Sequence, residues 1–400
     1  MMITKAKNGW KNVKIGETAS VNPDTINKDF HFEEIDYIDI SSVGSGTLSG
    51  KVKYKLKDAP SRAKRRIKDG DTIISTVRPN LRSFLYIRES KSNDVVSTGF
   101  AVVRPNSGID SRFLYYAITG QKFTDYLTPI AEGRCAAYPA VNASDVANGE
   151  IIIPESINTQ KKIASILSAY DDLIENNSRR IAILERMAKL IYDEWFVKCM
   201  FPGHEKVKMV ESEIGEIPEG WVVKRLKQVS QNFDSKRVPL SSMERLKIPG
   251  IFPYYGAAKV LDYIDQYIFD GKYLLIAEDG SVITPKRNPV LQLVNCKFWV
   301  NNHTHILQGK GVVSTEFLYL RLVGYDISGH VTGAAQPKIN QENLNRICFV
   351  IAKDETMDEF NKIIVPLFDL IHELQMKNDN LRQTRDLLLP RLVSGEIDVT

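Results

Sequence analysis

The chain has 400 residues, is 43% apolar and 26% charged, and carries a formal net charge of +4. That length suggests two or three domains, and the composition is ordinary for a soluble globular protein. No stretch approaches the roughly 20 apolar residues of a membrane span, and the opening residues Met1–Asn8 lack the apolar core of a secretion signal, so a soluble, cytoplasmic protein is expected. The mild positive charge permits a nucleic-acid partner without requiring one. Cys135, Cys199, Cys296 and Cys348 lie far apart with no CxxC pair, which fits reduced thiols and gives no zinc pattern.

Taken in chain order, Gly9-Trp10-Lys11-Asn12-Val13 reads as a short strand opening on a Trp. The densest basic run follows, Ser61–Lys68, either a phosphate-contacting segment or an exposed helix face. Asp69-Gly70-Asp71 predicts a turn into an apolar strand ending at Ser75, then a polar loop at Thr76–Arg82 and a strand around Val95–Val103. Arg112–Tyr116 predicts a short amphipathic helix, and Gly133-Arg134 a tight turn. Ala136-Ala137-Tyr138-Pro139-Ala140-Val141-Asn142 precedes a strand at Glu150–Pro154 and then a long helix.

The order then repeats. Pro218-Glu219-Gly220-Trp221 opens a second strand, after a polar Pro/Gly connection at Phe201–Lys208. Phe269-Asp270-Gly271 is read as a turn into an apolar strand, Ala277–Ser281 as the polar loop, and Phe298–Leu307 as the next strand. Glu316–Leu320 predicts the short helix, and Ala334-Ala335-Gln336-Pro337-Lys338-Ile339-Asn340 repeats the earlier motif before a strand at Arg346–Ile351. Thr356–Glu359 reads as a capping box opening the second long helix, Pro366 as a bend within it, and Gly395 as lying just past its end.

Both long helices carry the alternating four-and-three apolar spacing of a coiled-coil seam. In the first it runs through Ile163, Leu167, Tyr170, Ile174, Asn177, Ile181, Leu184, Ala188, Ile191 and Trp195. In the second it runs through Phe360, Ile364, Leu367, Ile371, Leu374, Asn378, Leu381, Arg385, Leu388 and Leu392, each 197 residues after its counterpart, as from 163 to 360. A helix packed only on its own domain shows a broader stripe, so the two helices are expected to pair with each other, the alternative being another chain. At about 1.5 Å per residue the first seam is about 48 Å long, or about 14 base pairs of duplex. Antiparallel pairing would make it a ruler between two heads. Asn177, Asn378 and Arg385 at seam positions either fix register or mark where the seam opens to solvent or a partner.

No catalytic signature is present. The chain lacks an Asp/Asn-Pro-Pro-Tyr/Phe tetrapeptide, a GxGxxG turn and a GxxxxGK[ST] loop. His303-Thr304-His305 would place two imidazoles on one strand face, with no nearby Cys or acidic cluster to complete a metal shell. Glu278-Asp279 with Lys286 reads as a loop turn rather than a nuclease pair. Catalytic residues, metal and cofactor are all expected to be absent, and binding or scaffolding is the favoured class.

Candidate DNA contacts follow from charge and loop position. Arg62, Lys64, Arg65 and Arg66 suit phosphate contact. Arg78, Asn80 and Arg82 lie on the loop after an apolar strand, where Arg suits bidentate guanine readout. Lys286 and Arg287 follow the equivalent loop of the second copy. Arg134 and the Gly329–Lys338 segment, with Lys338, lie on small-residue loops suited to close approach, and Tyr138 and Gln336 occupy the same repeat position. Their difference is expected if the copies read different sequences, and is otherwise ordinary loop variation.

Several segments resemble the specificity subunits of type I restriction–modification enzymes, over almost the whole chain. They are Gln160–Ser168, Trp195-Phe196-Val197 with Phe201–Glu205, Ile214–Trp221, Val300–His305 and Leu388–Ile397. The resemblance implies an α+β fold with two pseudo-repeated target-recognition domains separated by two long helices in an antiparallel coiled coil. The expected boundaries are 1–155 and 215–353 for the recognition domains, 156–200 and 354–400 for the helices and tail, and 201–214 for the connection. It further implies double-stranded DNA as ligand, each domain reading half of an asymmetric interrupted site. Two modification subunits would methylate adenine N6, and restriction subunits would add an ATP-dependent translocating nuclease, with all catalysis in those partners. A coiled-coil scaffold with protein-binding heads and a self-sufficient methyltransferase–nuclease are the competing readings.

Overall fold

A computed structural model describes residues 7–134, 137–333 and 336–399. Cys135, Ala136, Ala334, Ala335 and most of the Met1–Asn8 opening lie outside them. The chain packs as two units, one made of residues 1–175 with 378–400, the other of residues 176–377.

In the first unit the Trp10–Lys14 strand pairs antiparallel with Glu150–Pro154. A four-stranded sheet follows the order Ala19–Val21, Phe100–Pro105, Thr72–Ser75, Phe84–Tyr86. A second runs Val52–Lys55, Glu34–Ile38, Asp94–Ser97, Ala63–Arg66. The helix Ser111–Thr119, capped by the Asp110 carboxylate on the Phe113 amide, drives Phe113, Leu114, Tyr115 and Tyr116 into the core. Ile163, Ala164 and Leu167 from the start of the first long helix, Ile157–Tyr192, enter that core together with Leu392 from the end of the second, Asp354–Val393. Leu388 and Leu389 pack on its edge. Fully burying one such side chain is worth about 1.5–3 kcal/mol, so the two helix ends are integral to the unit. Here the helices run antiparallel: Arg385 pairs with Asp171 while Asn378 donates to the Ile174 carbonyl. Beyond the helix, the chain turns back at Gly395 (φ 75°) so closely that a Cβ there would lie 2.7 Å from the Trp10 ring. Ile397 and Val399 then pack on the same core.

In the second unit Val222–Arg225 pairs antiparallel with Cys348–Ile351, repeating the opening of the first. One six-stranded sheet runs Ser230–Asn232, Thr304–Gly309, Phe269–Ala277, Leu291–Val300, Pro249–Tyr255, Val260–Ile264. The Thr315–Leu322 helix lies against it, and Phe317 joins an aromatic cluster with both long helices. Phe196 meets Phe317 at 4.8 Å and Phe360 at 4.9 Å, both edge-on. Such contacts add about 0.5–1.5 kcal/mol each beyond area burial. Trp195 lies 5.7 Å from Phe360, and further along Glu185 lines one cavity with Phe368 and Ile371, so the helices are antiparallel in this unit too.

Ile163, Leu167, Phe360, Ile364, Ile371 and Leu374 are buried, and Tyr170, Ile174, Ile181, Leu184, Leu367, Leu381 and Leu388 are half-buried. Asn177 and Asn378 are buried as well, so they sit inside the packing rather than at a solvent opening.

Several local expectations are corrected. The basic run is a strand, Ala63–Arg66, not a helix face, because it completes the edge of a sheet beside Asp94–Ser97. Gly133-Arg134 closes the Gln121–Arg134 helix instead of forming a loop turn. Gly271 lies within the Phe269–Ala277 strand, where cross-strand pairing continues through it. The single strands expected near 95–103 and 298–307 are each two strands, broken at Thr98-Gly99 and at Asn301–His303. Each Pro-x-x-Asn motif opens a short helix before its strand, Ala143–Asn148 and Gln341–Asn345. The second long helix starts at Asp354, so Thr356 falls inside its first turn, and Pro366 does not interrupt it. A hairpin, Met209–Ser212 with Gly215–Pro218, follows the polar Phe201–Lys208 stretch and spans the expected boundary at 214.

Candidate nucleic-acid interface

Both units present the same backbone stitch. In the first, the Val141 amide donates to the Thr76 carbonyl (2.9 Å), two residues after Pro139. In the second, the Ile339 amide donates to the Glu278 carbonyl (2.8 Å), two residues after Pro337. The stitch brings the loop after an inner strand beside the Pro motif, which explains why the motif recurs.

In the first unit the loop is a 3-10 turn, Pro79–Leu81, flanked by Arg78 (φ 49°) and Arg82 (φ 54°). Left-handed backbone at a residue other than glycine costs about 1–3 kcal/mol and persists only when its surroundings impose it. Here the Arg78 amide donates to the Pro139 carbonyl at 2.8 Å, and the Ser45 hydroxyl to the Arg82 carbonyl at 2.8 Å. The Arg82 guanidinium folds inward, donating to Gln121 Oε1 (2.7 Å) and to the Thr119 carbonyl at the end of a helix (3.0 Å). Arg82 is therefore the strut of the turn, not an outward reader. Arg78, Asn80 and Leu81 form its exposed tip, and Tyr138 stands exposed across the stitch. Among the described residues Arg78 has no side-chain hydrogen bond or ion pair, so its donors are available to a ligand. Arg134 is committed elsewhere, bidentate on Asp145 (2.5 and 2.8 Å), whose carboxylate also accepts from the Asn142 amide.

The basic strand divides by face. Arg62 and Lys64 are exposed. Arg65 is drawn in, donating to the Thr98 carbonyl, and burial lowers its pKa. Arg66 lies over the Phe30 ring.

In the second unit Lys286 sits exposed on a loop closed by the Ile283–Pro289 bridge. Arg287 (φ 66°) is tied to Ser328 (2.5 Å) and Asp326 (3.3 Å). Gln336 and Lys338 are exposed beside the stitch. Gly333 (φ 85°) shapes this segment, since a Cβ there would lie 2.4 Å from the Gln336 carbonyl oxygen. Lys338 lies 3.3 Å from Glu278.

The two histidines differ. His303 is half exposed and pairs with Asp279 at 2.6 Å. His305 is buried, with Nδ1 2.6 Å from Asp234 Oδ2 and Nε2 2.8 Å from the Ile339 carbonyl oxygen. Arg237 completes the cluster, donating to Glu278 (2.7 Å) and to the Asn302 and Thr304 carbonyls. Burial alone would lower the His305 pKa, but Asp234 raises it above its ordinary value. Burial alone would raise the Asp234 carboxyl, but His305 and the Ile306 amide hold it below its usual range.

An acidic cluster therefore does adjoin His305, contrary to the sequence reading: Asp234, Glu278 and His305 offer ligand atoms within 4.8 Å of one another. A metal ion would have to displace Arg237 and Lys338 from those carboxylates, and the donor set fits a protein ion network better. Asp234 and Arg237 are members of this cluster that sequence reasoning missed. Their partners His305 and Glu278 are 71 and 41 positions away, and no local pattern announces them.

A chain built from two copies of one α+β unit, each with a strained loop offering uncommitted polar side chains, defines a binding protein. Residues 7–186 and 218–380 match the family model of the type I restriction modification DNA specificity domain. The chain belongs to that family. It is 27% identical over 418 residues to the type I restriction enzyme MjaIX specificity subunit of Methanocaldococcus jannaschii, covering 99% of this chain and 95% of that one. It is 24% identical over 463 residues to the HindI specificity subunit of Haemophilus influenzae, covering 97% and 99%. The crystal structure of the type I restriction–modification S subunit from M. genitalium shares the fold, with a TM-score of 0.58, 17% identity and coverage of 100% and 99%. Among the described residues, no helix is long and apolar enough to cross a membrane.

Proposed function

We propose that this chain is the non-catalytic, cytoplasmic DNA-recognition subunit of a type I restriction–modification complex. Residues 1–155 and 215–353 act as recognition domains, each reading one half of an asymmetric, interrupted duplex site. The helices 156–200 and 354–400 set the spacer and dock two modification subunits, which methylate adenine N6 after flipping it from the stack. Restriction subunits add ATP-dependent translocation and cleavage.

The carrying observation is the pair of stitched loops whose exposed residues differ: Arg78, Asn80 and Tyr138 in one unit, Lys286, Gln336 and Lys338 in the other. Arg suits guanine and Asn or Gln suits adenine in the major groove, so unlike rims favour unlike half-sites. Arg62 and Lys64 supply phosphate contact. Docking of a protein partner draws support from Ile183, Met187 and Leu190, an exposed apolar stripe at four-and-three spacing on the first long helix.

The test is methylome sequencing of cells co-expressing this chain with its modification subunit. The expected result is an N6-methyladenine motif with two unlike halves and a fixed gap. An assembled, active complex with no chain-dependent motif would favour the scaffold reading. Deleting matched heptads from both helices should shorten the gap and leave both halves unchanged.

A further inference from the structure

We propose that doubly protonated His305 is a positioning residue for sequence readout by the second unit alone, which makes that readout, and not the first unit's, sensitive to pH. This rests on the DNA-recognition reading above.

His305 Nδ1 faces the Asp234 carboxylate at 2.6 Å and Nε2 faces the Ile339 carbonyl oxygen at 2.8 Å. Both partners are acceptors. A neutral imidazole has one N–H and can serve only one of them, whereas the imidazolium serves both. Ile339 is the stitched residue whose amide donates to Glu278, and Lys338 and Gln336 lie immediately before it. His305 thus holds the exposed segment from behind, and Asp234 holds His305.

The charged groups around the ring come from every neighbouring segment. Asp234 and Arg237 come from the turn after the Ser230–Asn232 strand, and Glu278 from the end of the Phe269–Ala277 strand. Lys338 comes from the segment itself, and the exposed His303–Asp279 pair lies beyond. Arg237 and Glu278 neutralise one another at 2.7 Å, which leaves Asp234, at 2.6 Å, as the counter-charge that holds the second proton on His305.

The first unit supports its loop differently. Its strut is Arg82, on Gln121 and the Thr119 carbonyl, and arginine stays charged at any pH a protein tolerates. Thr76 stands in that stitch where Glu278 stands in the other. Raising the pH therefore loosens one rim and leaves the other.

The experiment uses the full chain assembled with its modification subunit. Methylation motifs are mapped for the wild type, His305→Gln, Asp234→Asn and Gln336→Ala. Both network variants are expected to relax base preference by about tenfold, the scale of one lost polar contact, in the half that Gln336→Ala also alters, with the other half intact. Should the variants fail to assemble, the wild-type complex carries the test. Competition between cognate duplexes and duplexes mismatched in either half is then measured from pH 6.5 to 9. Discrimination should fall with pH in one half only. Equal loss in both halves, or none, overturns the inference. A wild-type complex that is active yet yields no bipartite motif overturns the recognition reading itself, and this inference falls with it.

Discussion

Arg385 Nη1 lies 2.5 Å from Asp171 Oδ1, and the Tyr116 hydroxyl donates to Asp171 Oδ2 at the same distance. One carboxylate therefore ties the end of the second long helix, the start of the first and a core helix into one unit. Its position explains the Arg at a seam position.

Removing the inner partner of a largely buried charge is costly even though Arg385 keeps the exposed Asp386 at 2.8 Å, and the Arg385 and Asp171 side chains keep only 22% and 17% exposure. Asp171→Ala is expected to destabilise the first unit by about 2 kcal/mol. Hydrogen exchange across residues 163–175 and 380–392 should accelerate accordingly. A double-mutant cycle with Arg385→Leu should show coupling, and additive effects would deny the link.

Gly395→Ala tests the close of the first unit. The residue has φ 75° and no room for a Cβ beside Trp10, so the substitution should cost about 1–3 kcal/mol. Limited proteolysis should release the segment after 393 more readily, and Trp10 emission should shift as water reaches the ring.

Arg78 and Arg82 should separate cleanly although four residues apart. Arg78→Ala should leave thermal stability within about 0.5 kcal/mol of wild type, as exposed sites do, and change the methylated motif. Arg82→Ala should cost about 1–3 kcal/mol, because it strips the strut from a strained turn. A motif change without destabilisation in Arg82→Ala would reverse these roles.

The second unit should have an optimum of stability against pH. Asp234 has its pKa lowered, so its contribution is present above about pH 3.9 and fades as pH falls through the depressed value. His305 has its pKa raised, so its contribution is full below about pH 6.5 and fades as pH rises through the elevated value. Exchange protection of the Thr304–Gly309 strand should trace that profile, and Asp234→Asn should flatten both limbs.

Met187→Lys with Leu190→Glu should abolish capture of the modification subunit while leaving the circular dichroism spectrum unchanged. Both side chains are exposed and off the seam. Full assembly by this double variant would place the docking surface elsewhere.

Much of the architecture was legible in the residues alone. The opening strands at Trp10 and Trp221, the short helices near 113 and 317, the seam and the recurring Pro-x-x-Asn motif are all local or periodic signals, and local hydrogen bonding and apolar spacing dictate them directly. The strand breaks near Thr98 and Asn302 were not legible. A two- or three-residue turn between apolar stretches leaves the alternation almost unchanged.

What only the tertiary structure decided is which way the polar side chains face and who meets whom across the sequence. Arg78 and Arg82 are indistinguishable by type and loop position, and a left-handed turn sends one outward and one onto a helix end. His305 reads as one of two imidazoles on a strand face until Asp234 and Ile339 arrive from other segments to bury it. Gly395 reads as an ordinary helix stop until Trp10, almost the whole chain away, closes over it. Periodicity is written into neighbouring residues, so sequence determines helices, strands and the repeat. The direction of a buried charge depends on partners that only the folded chain brings within hydrogen-bonding reach, where leaving a polar group unmatched costs more than the local sequence can compensate.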